Sequence, residues 1–330
     1  MTRALSHTGL EATLAQIDDE RAPASEERIA QVLKGVADGF RSQLRAPILS
    51  TPADQGLEFE AVTFPSQDGV PLEAWLIPRA GSDKLVIVNH PKGFNRYGSP
   101  SHLEPWKSMF AASGNDFEVS FIPDYRILHD AGYNVLTYDL RNHGHSGAGN
   151  GGIVTSGNFE SRDVIGSLVY ARTRKELSGM TIGLFSRCLG CNSAIFAMSR
   201  HPEHFKDVRC LVGAQPLSPK FFYERLLDFA GVPADRINEL DWSIKINTSF
   251  DFQQLSPIQA AKDVTVPAFI YQVHDDSMTK PADVQAIFDN IPGDNKELFW
   301  IWGTTRRWDG YNYFSKDPSK MLDWFNRYMQ

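Results

Sequence analysis

Between Lys84 and Met329, short apolar runs alternate with amphipathic stretches, and this order limits the fold more than any other feature of the chain. The runs at 84–88, 133–139, 180–185, 208–214, 268–273 and 297–302 have the length and side chains of buried strands. Helical patterns lie between or after them at 124–131, 159–175, 189–198, 282–290 and 318–329. Strand and helix in strict alternation imply crossover connections, hence a mostly parallel sheet with helices on both faces. In front of this repeat, 58–64 and 70–77 read as a hairpin around Gln67-Asp68-Gly69. The expected class is α/β.

Two stretches break the alternation. A polar, aromatic insertion is expected at 94–123, and a mixed block at 217–262, with helical stretches near 221–229 and 256–261, is expected to cap the carboxyl ends of the strands. The division is therefore 1–56 as an N-terminal arm and helix, 57–216 as the first part of the core, 217–262 as the cap and 263–330 as the second part of the core. Residues 1–24 are polar and weakly patterned, an arm or an oligomer contact. Ile29, Val32, Leu33, Val36, Phe40 and Leu44 then fall on one helical stripe. That helix is expected to pack outside the core or on a partner subunit, making a homo-oligomer one partner reading.

With a net charge of -7 and no basic stripe, no nucleic-acid partner is expected. No signal peptide and no membrane-spanning run are visible, and the three cysteines, Cys188, Cys191 and Cys210, suggest free thiols in a cytoplasmic protein. No cofactor motif is present and no metal-ligand spacing occurs, so the partner left is a small-molecule substrate.

The chemistry concentrates at Ile182-Gly183-Leu184-Phe185-Ser186-Arg187-Cys188-Leu189-Gly190-Cys191. A strand here turns sharply into a helix, and small residues flank the turn where the two elements come close. Cys188 falls at the helix N-terminus, where the dipole favours an anion and a thiolate is the anion a cysteine supplies. Arg187 adds a neighbouring positive charge. Ser186 fits the turn less well, because Leu184 is too large for the small position before it. Two other readings of the cysteine stand beside this one: a small buried residue at a tight turn, and redox chemistry by the Cys188-Leu189-Gly190-Cys191 pair.

The Ser186-x-Cys188-x-Gly190 pattern resembles the nucleophile elbow of the α/β-hydrolase superfamily, in the cysteine variant of dienelactone hydrolases. The resemblance covers 57–329. Asp139-Leu140-Arg141-Asn142-His143-Gly144-His145-Ser146 is similar to the D-x-R-G-x-G-x-S loop of that superfamily, and Val88-Asn89-His90 to its oxyanion loop, with Pro91 in place of glycine. Proline has no N–H, so the resemblance implies Lys92 and Leu189 as oxyanion donors. It places the acid in His274-Asp275-Asp276, where Asp276 fits better than Asp275. It departs at the base. The loop after the last strand reads Gly303-Thr304-Thr305-Arg306-Arg307, with Arg306 at the expected histidine position, and no histidine follows His274. The other reading of Arg306 and Arg307 is that they pair with Asp276 or Asp309 and hold the loop.

Three explanations compete for the missing base. The sulphur works as a thiolate stabilised by the helix end, Arg187 and Arg306; or His90 or His274 substitutes; or the site has lost hydrolysis. The resemblance thus implies an enzyme that acts through Cys188 on an acyl or activated carbonyl carbon of an ester, thioester or lactone, as hydrolase or acyltransferase, with Asp276, Arg306 and His90 as its partners. The alternative is a catalytically silent protein of the same fold that binds a small carbonyl or carboxylate ligand.

Overall fold

The structure, a computed structural model, describes residues 24–330; the expected arm over 1–24 lies outside them but for its last residue. Eight strands form one sheet: β1 Glu60–Pro65, β2 Pro71–Ile77, β3 Lys84–Asn89, β4 Asn134–Tyr138, β5 Thr181–Arg187, β6 Val208–Ala214, β7 Ala268–Val273 and β8 Lys296–Ile301. Their order across the sheet is β1-β2-β4-β3-β5-β6-β7-β8. The β1–β2 and β2–β4 pairs are antiparallel, and every later pair is parallel. The hairpin expected from the sequence lies at one edge of an otherwise parallel sheet.

Alternation along the strands divides the core between the two faces. Leu85, Ile87, Leu184, Leu211 and Ile270 point to one side, under α3 (Ser161–Thr173), α4 (Leu189–Arg200) and α7 (Pro281–Asn290). Val86, Val88, Phe185, Val212, Phe269 and Tyr271 point to the other, under α2 (Ile122–Asp130) and α8 (Ser319–Tyr328). The insertion forms a two-strand ribbon, Gly98–Ser99 with Val119–Ser120, and a short helix at Trp106–Phe110.

A third apolar cluster joins segments that the sequence left apart. α1 (Glu26–Asp38) starts at Ser25, whose side chain accepts from the Arg28 N–H, and carries Glu26 and Glu27 in its first turn, where the helix dipole favours them. Its buried Ile29, Val32, Leu33 and Val36 pack on Tyr223 and Leu227 of α5 (Pro219–Phe229) and on Leu240 and Ile244 of α6 (Ile237–Thr248). The stripe expected to lie outside the core or on a partner is thus covered by the chain's own 217–262 block. α6 is longer than any element expected there, while 256–261 forms no α-helix. The exposed Trp242 and Ile246 interrupt the α6 pattern with apolar residues on the wrong face, which hides its period.

Candidate active site

At the carboxyl end of β5 the chain turns into α4 within one residue. Cys188 sits at that turn with φ 47° and ψ −109°, a strained conformation for a residue with a side chain. The strain is held from both sides. The Cys188 N–H donates to the Ala214 carbonyl at 2.8 Å, and its own carbonyl accepts from the Asn192 N–H at 2.9 Å. Glycine is required at 190, because a Cβ there would lie 2.5 Å from that of Asn89. The Gly190 N–H donates to the His90 carbonyl at 3.1 Å, tying the elbow to the loop after β3. Ser186 stays within the sheet, accepting from Asn89 Nδ2 at 2.7 Å.

Cys188 is 8% exposed and belongs to the same apolar cluster as Met278, Trp308 and Tyr311. Cys191 belongs to the opposite face, packed against β6 beside Gly213, and burial pushes its thiol pKa up. All three cysteines are free. The Leu189 N–H, at the first position of α4, and the Lys92 N–H make no hydrogen bond among the described residues. Leu189 follows the elbow at the end of β5, and Lys92 lies in the loop after β3. The Lys92 ammonium is engaged elsewhere, donating to the Tyr223 hydroxyl at 3.1 Å and lying 4.3 Å above the Phe40 ring.

The acid and its partner follow β7 and β8. Asp276 is buried and accepts from the Met278 N–H at 2.9 Å, Thr279 Oγ1 at 2.8 Å, Gln272 Nε2 at 3.0 Å and Arg307 Nη1 at 2.6 Å. Arg307, its side chain 1% exposed, also donates from Nη2 to the Gln215 carbonyl and from Nε to the Tyr311 hydroxyl at 2.9 Å. Burial works against the Arg307 charge, but Tyr311, Asp276 and Cys188 raise its pKa further. Tyr311 and Cys188 belong to the same apolar cluster. Burial lifts the Tyr311 pKa well above its ordinary value, Arg307 opposes that, and charge and hydrogen bonding at Cys188 add to it. Hydrogen bonds therefore run from Asp276 through Arg307 to the Tyr311 hydroxyl, within the apolar cluster that also holds Cys188.

Three expected partners need correction. Arg306 does not face Asp276: half exposed, it pairs with Asp309 and covers the Phe117 ring. The residue on Asp276 is its neighbour, Arg307. The short helix Arg307–Tyr311 puts the first and last of its residues one turn apart on one face, an i, i+4 spacing visible in the sequence. His90 is not free to take a proton. Its Nδ1 pairs with the Pro91 carbonyl at 2.7 Å and its Nε2 accepts from the Leu140 N–H at 2.9 Å. Burial, and then His143 beside it, hold His90 well below the usual histidine pKa. Arg187 turns away from the sulphur. Fully buried, it donates to Asp124 at 2.6 Å and lies on the rings of Phe185 and Phe121. The other histidine weighed as a base, His274, pairs with the exposed Asp275 and stacks on Trp302.

No family model matches the sequence, and no curated protein matches it. Solved structures do. An esterase of Pyrococcus furiosus superposes with a TM-score of 0.66 at 22% identity, over 88% of this chain and 99% of that one. A dienelactone hydrolase from Anabaena variabilis gives 0.53 at 14% identity, over 83% and 99%. An acylaminoacyl peptidase of Pyrococcus horikoshii gives 0.56 at 14%, over 83% of this chain and 42% of that one. At these identities the likeness speaks for architecture, and with the strand order and the elbow it gives one conclusion: this chain has the α/β-hydrolase fold.

Proposed function

We propose that the protein is an enzyme that takes up acyl groups from small ester, thioester or lactone substrates on the sulphur of Cys188. The observation that carries this reading is the strained elbow, which holds Cys188 at the N-terminus of α4, with the Leu189 N–H after it and the Lys92 N–H in the loop after β3 both unpaired among the described residues. Strain of this kind persists where it serves a site. A tetrahedral intermediate on the sulphur would place its oxyanion toward those donors. Asp276 and Arg307 position Tyr311, and His90 and Arg187 serve as internal braces. The block 217–262, joined by α1, acts as the cap, anchored to the oxyanion loop through Lys92 and Tyr223.

The test is intact-mass spectrometry after brief exposure to a panel of activated esters and thioesters. A single acyl adduct on the wild type, lost in Cys188→Ala, is the expected result. Equal acylation or equal turnover by Cys188→Ala would overturn the assignment.

A further inference from the structure

We infer that the Lys92 ammonium and the Tyr223 hydroxyl form a carboxylate subsite, so that the acyl groups taken up by this protein carry a free carboxylate at their far end. This rests on acyl uptake at Cys188 and names the class of acyl group.

The Lys92 ammonium is a half-buried charge with no counter-charge: no carboxylate lies within ion-pair distance of it among the described residues. Both acids of α5, the helix that supplies Tyr223, are held by other cations. Glu224 lies 2.9 Å from Lys280, and Asp228 lies 3.5 Å from Arg225. Charges drawn out of water are normally paired, because desolvation penalises the charged form. The neighbours that Lys92 does have are neutral. They are the Tyr223 hydroxyl at 3.1 Å and the Phe40 ring, its centroid 4.3 Å away. An ammonium has three protons to donate, and these two neighbours occupy at most two of them. Tyr223, 7% exposed, accepts from Lys92, and its own proton has no acceptor among the described residues. Two donors and one positive charge thus stand together without a receiving group from the chain itself. A carboxylate brings two acceptor oxygens and one negative charge, which matches that set. A phosphate dianion would bring a second negative charge that one ammonium leaves unmatched.

The subsite adjoins the elbow. Lys92 and Cys188 each lie two residues from the 3.1 Å hydrogen bond between the Gly190 N–H and the His90 carbonyl. Phe222, whose ring centroid is 5.2 Å from that of Tyr223, packs on the apolar cluster that holds Cys188 and also on the α1–α5–α6 cluster. A chain of methylene groups would have an apolar wall there, with the charge at its far end met by Lys92. Phe40, Lys92 and Tyr223 come from the end of the α1 segment, the loop after β3 and α5, so the subsite exists only where cap and core meet.

The probes are the para-nitrophenyl hemiesters of succinic, glutaric and adipic acids, each beside the uncharged para-nitrophenyl ester of equal chain length: butyrate, pentanoate and hexanoate. At least one hemiester is expected to exceed its uncharged match by about ten-fold in kcat/KM for nitrophenol release, chiefly through KM. Lys92→Met should bring that ratio to about one, and Lys92→Arg, which keeps the charge, should restore most of it. The ratio is taken within each variant, so a general loss of activity does not imitate the effect, and near-ultraviolet circular dichroism reports folding. No preference for any of the three hemiesters, or a preference kept in Lys92→Met, would overturn the subsite. Calorimetry with the monoamides of the same diacids, which do not acylate a thiol, separates the subsite from the nucleophile. A monoamide should bind wild type and Cys188→Ala alike, and Lys92→Met about ten-fold more weakly. Such binding with no acyl adduct on Cys188 would keep the subsite and overturn the nucleophile. Acylation of Cys188 without a hemiester preference would keep the nucleophile and overturn the subsite. If no ester is turned over, the monoamides decide: binding that depends on Lys92 supports the subsite, and its absence overturns it.

Discussion

At the scale of single residues, two adjacent arginines have opposite fates. Arg307 is buried on buried Asp276, and breaking such a pair leaves an uncompensated charge in the interior. Arg307→Met should cost about 3–5 kcal/mol in urea unfolding. Arg306→Ala, losing a half-exposed contact to Asp309, should cost under about 1 kcal/mol. Equal losses would mean that the two side chains are misassigned. Asp283 offers a test by pH. Burial raises it to about 6, although the Ser218 N–H donates to it. A carboxyl raised in the folded state binds its proton more tightly there than when unfolded, so stability is greatest at low pH and falls as pH rises from about 4 through about 6. Asp283→Asn removes that fall. Its stability relative to wild type should improve by about 2 kcal/mol between pH 4 and pH 8. A constant difference across that range would show that Asp283 does not titrate in this way.

At the scale of elements, the elbow and the helical lobe are built on different terms. The elbow depends on close approach. Gly190→Ala would drive a Cβ into Asn89 and is expected to cost about 1–3 kcal/mol and to slow Cys188 alkylation, read by urea unfolding and iodoacetamide labelling. Unchanged labelling would mean that the β3 loop yields without disturbing the sulphur. The lobe depends on apolar burial between α1, α5 and α6. Leu240 is fully buried there, and Leu240→Ala should cost about 2–5 kcal/mol. Hydrogen exchange should then rise in α1, α5 and α6 before it rises in the sheet strands. A uniform rise would show that lobe and sheet open together.

At the scale of the whole molecule, the two ends of the sheet differ. β3, β4, β5, β7 and β8 deliver the loops carrying Lys92, His143, Cys188, Asp276 and Arg307 from their carboxyl ends. The surface cleft lined by Phe205, Val208, Val266 and Tyr328 lies at the opposite end, by the amino ends of β6 and β7. One face of the sheet is closed by α8, whose Met321, Trp324 and Phe325 are buried, with Met329 following over Gly183. Each such side chain contributes about 2 kcal/mol by burial, against a typical total stability of about 5–15 kcal/mol. Deleting 319–330 should therefore leave the chain without a cooperative thermal transition, and a variant that melts cooperatively would show that the sheet stands without this cover.

The succession of strands and helices, the elbow at Cys188 and the loop carrying Asp276 were legible because each is local. Period, turn chemistry and a sharp strand-to-helix step are written within about ten residues. The i, i+4 spacing of Arg307 and Tyr311 was equally local, but only a helix there gives it meaning, and alignment of a missing histidine pointed one residue too early. Whether a charged or polar side chain faces the sulphur or the interior is not local. Arg187 adjoins Cys188 in sequence yet is drawn to Asp124, sixty-three positions away. His90 is claimed by the Leu140 N–H, fifty positions away. The α1 stripe found its partner in α6, more than two hundred residues on. The sequence by itself determined which backbone would turn where. Only the tertiary structure decided which polar groups were spent on one another, because a buried donor is satisfied by whichever acceptor the fold brings within reach.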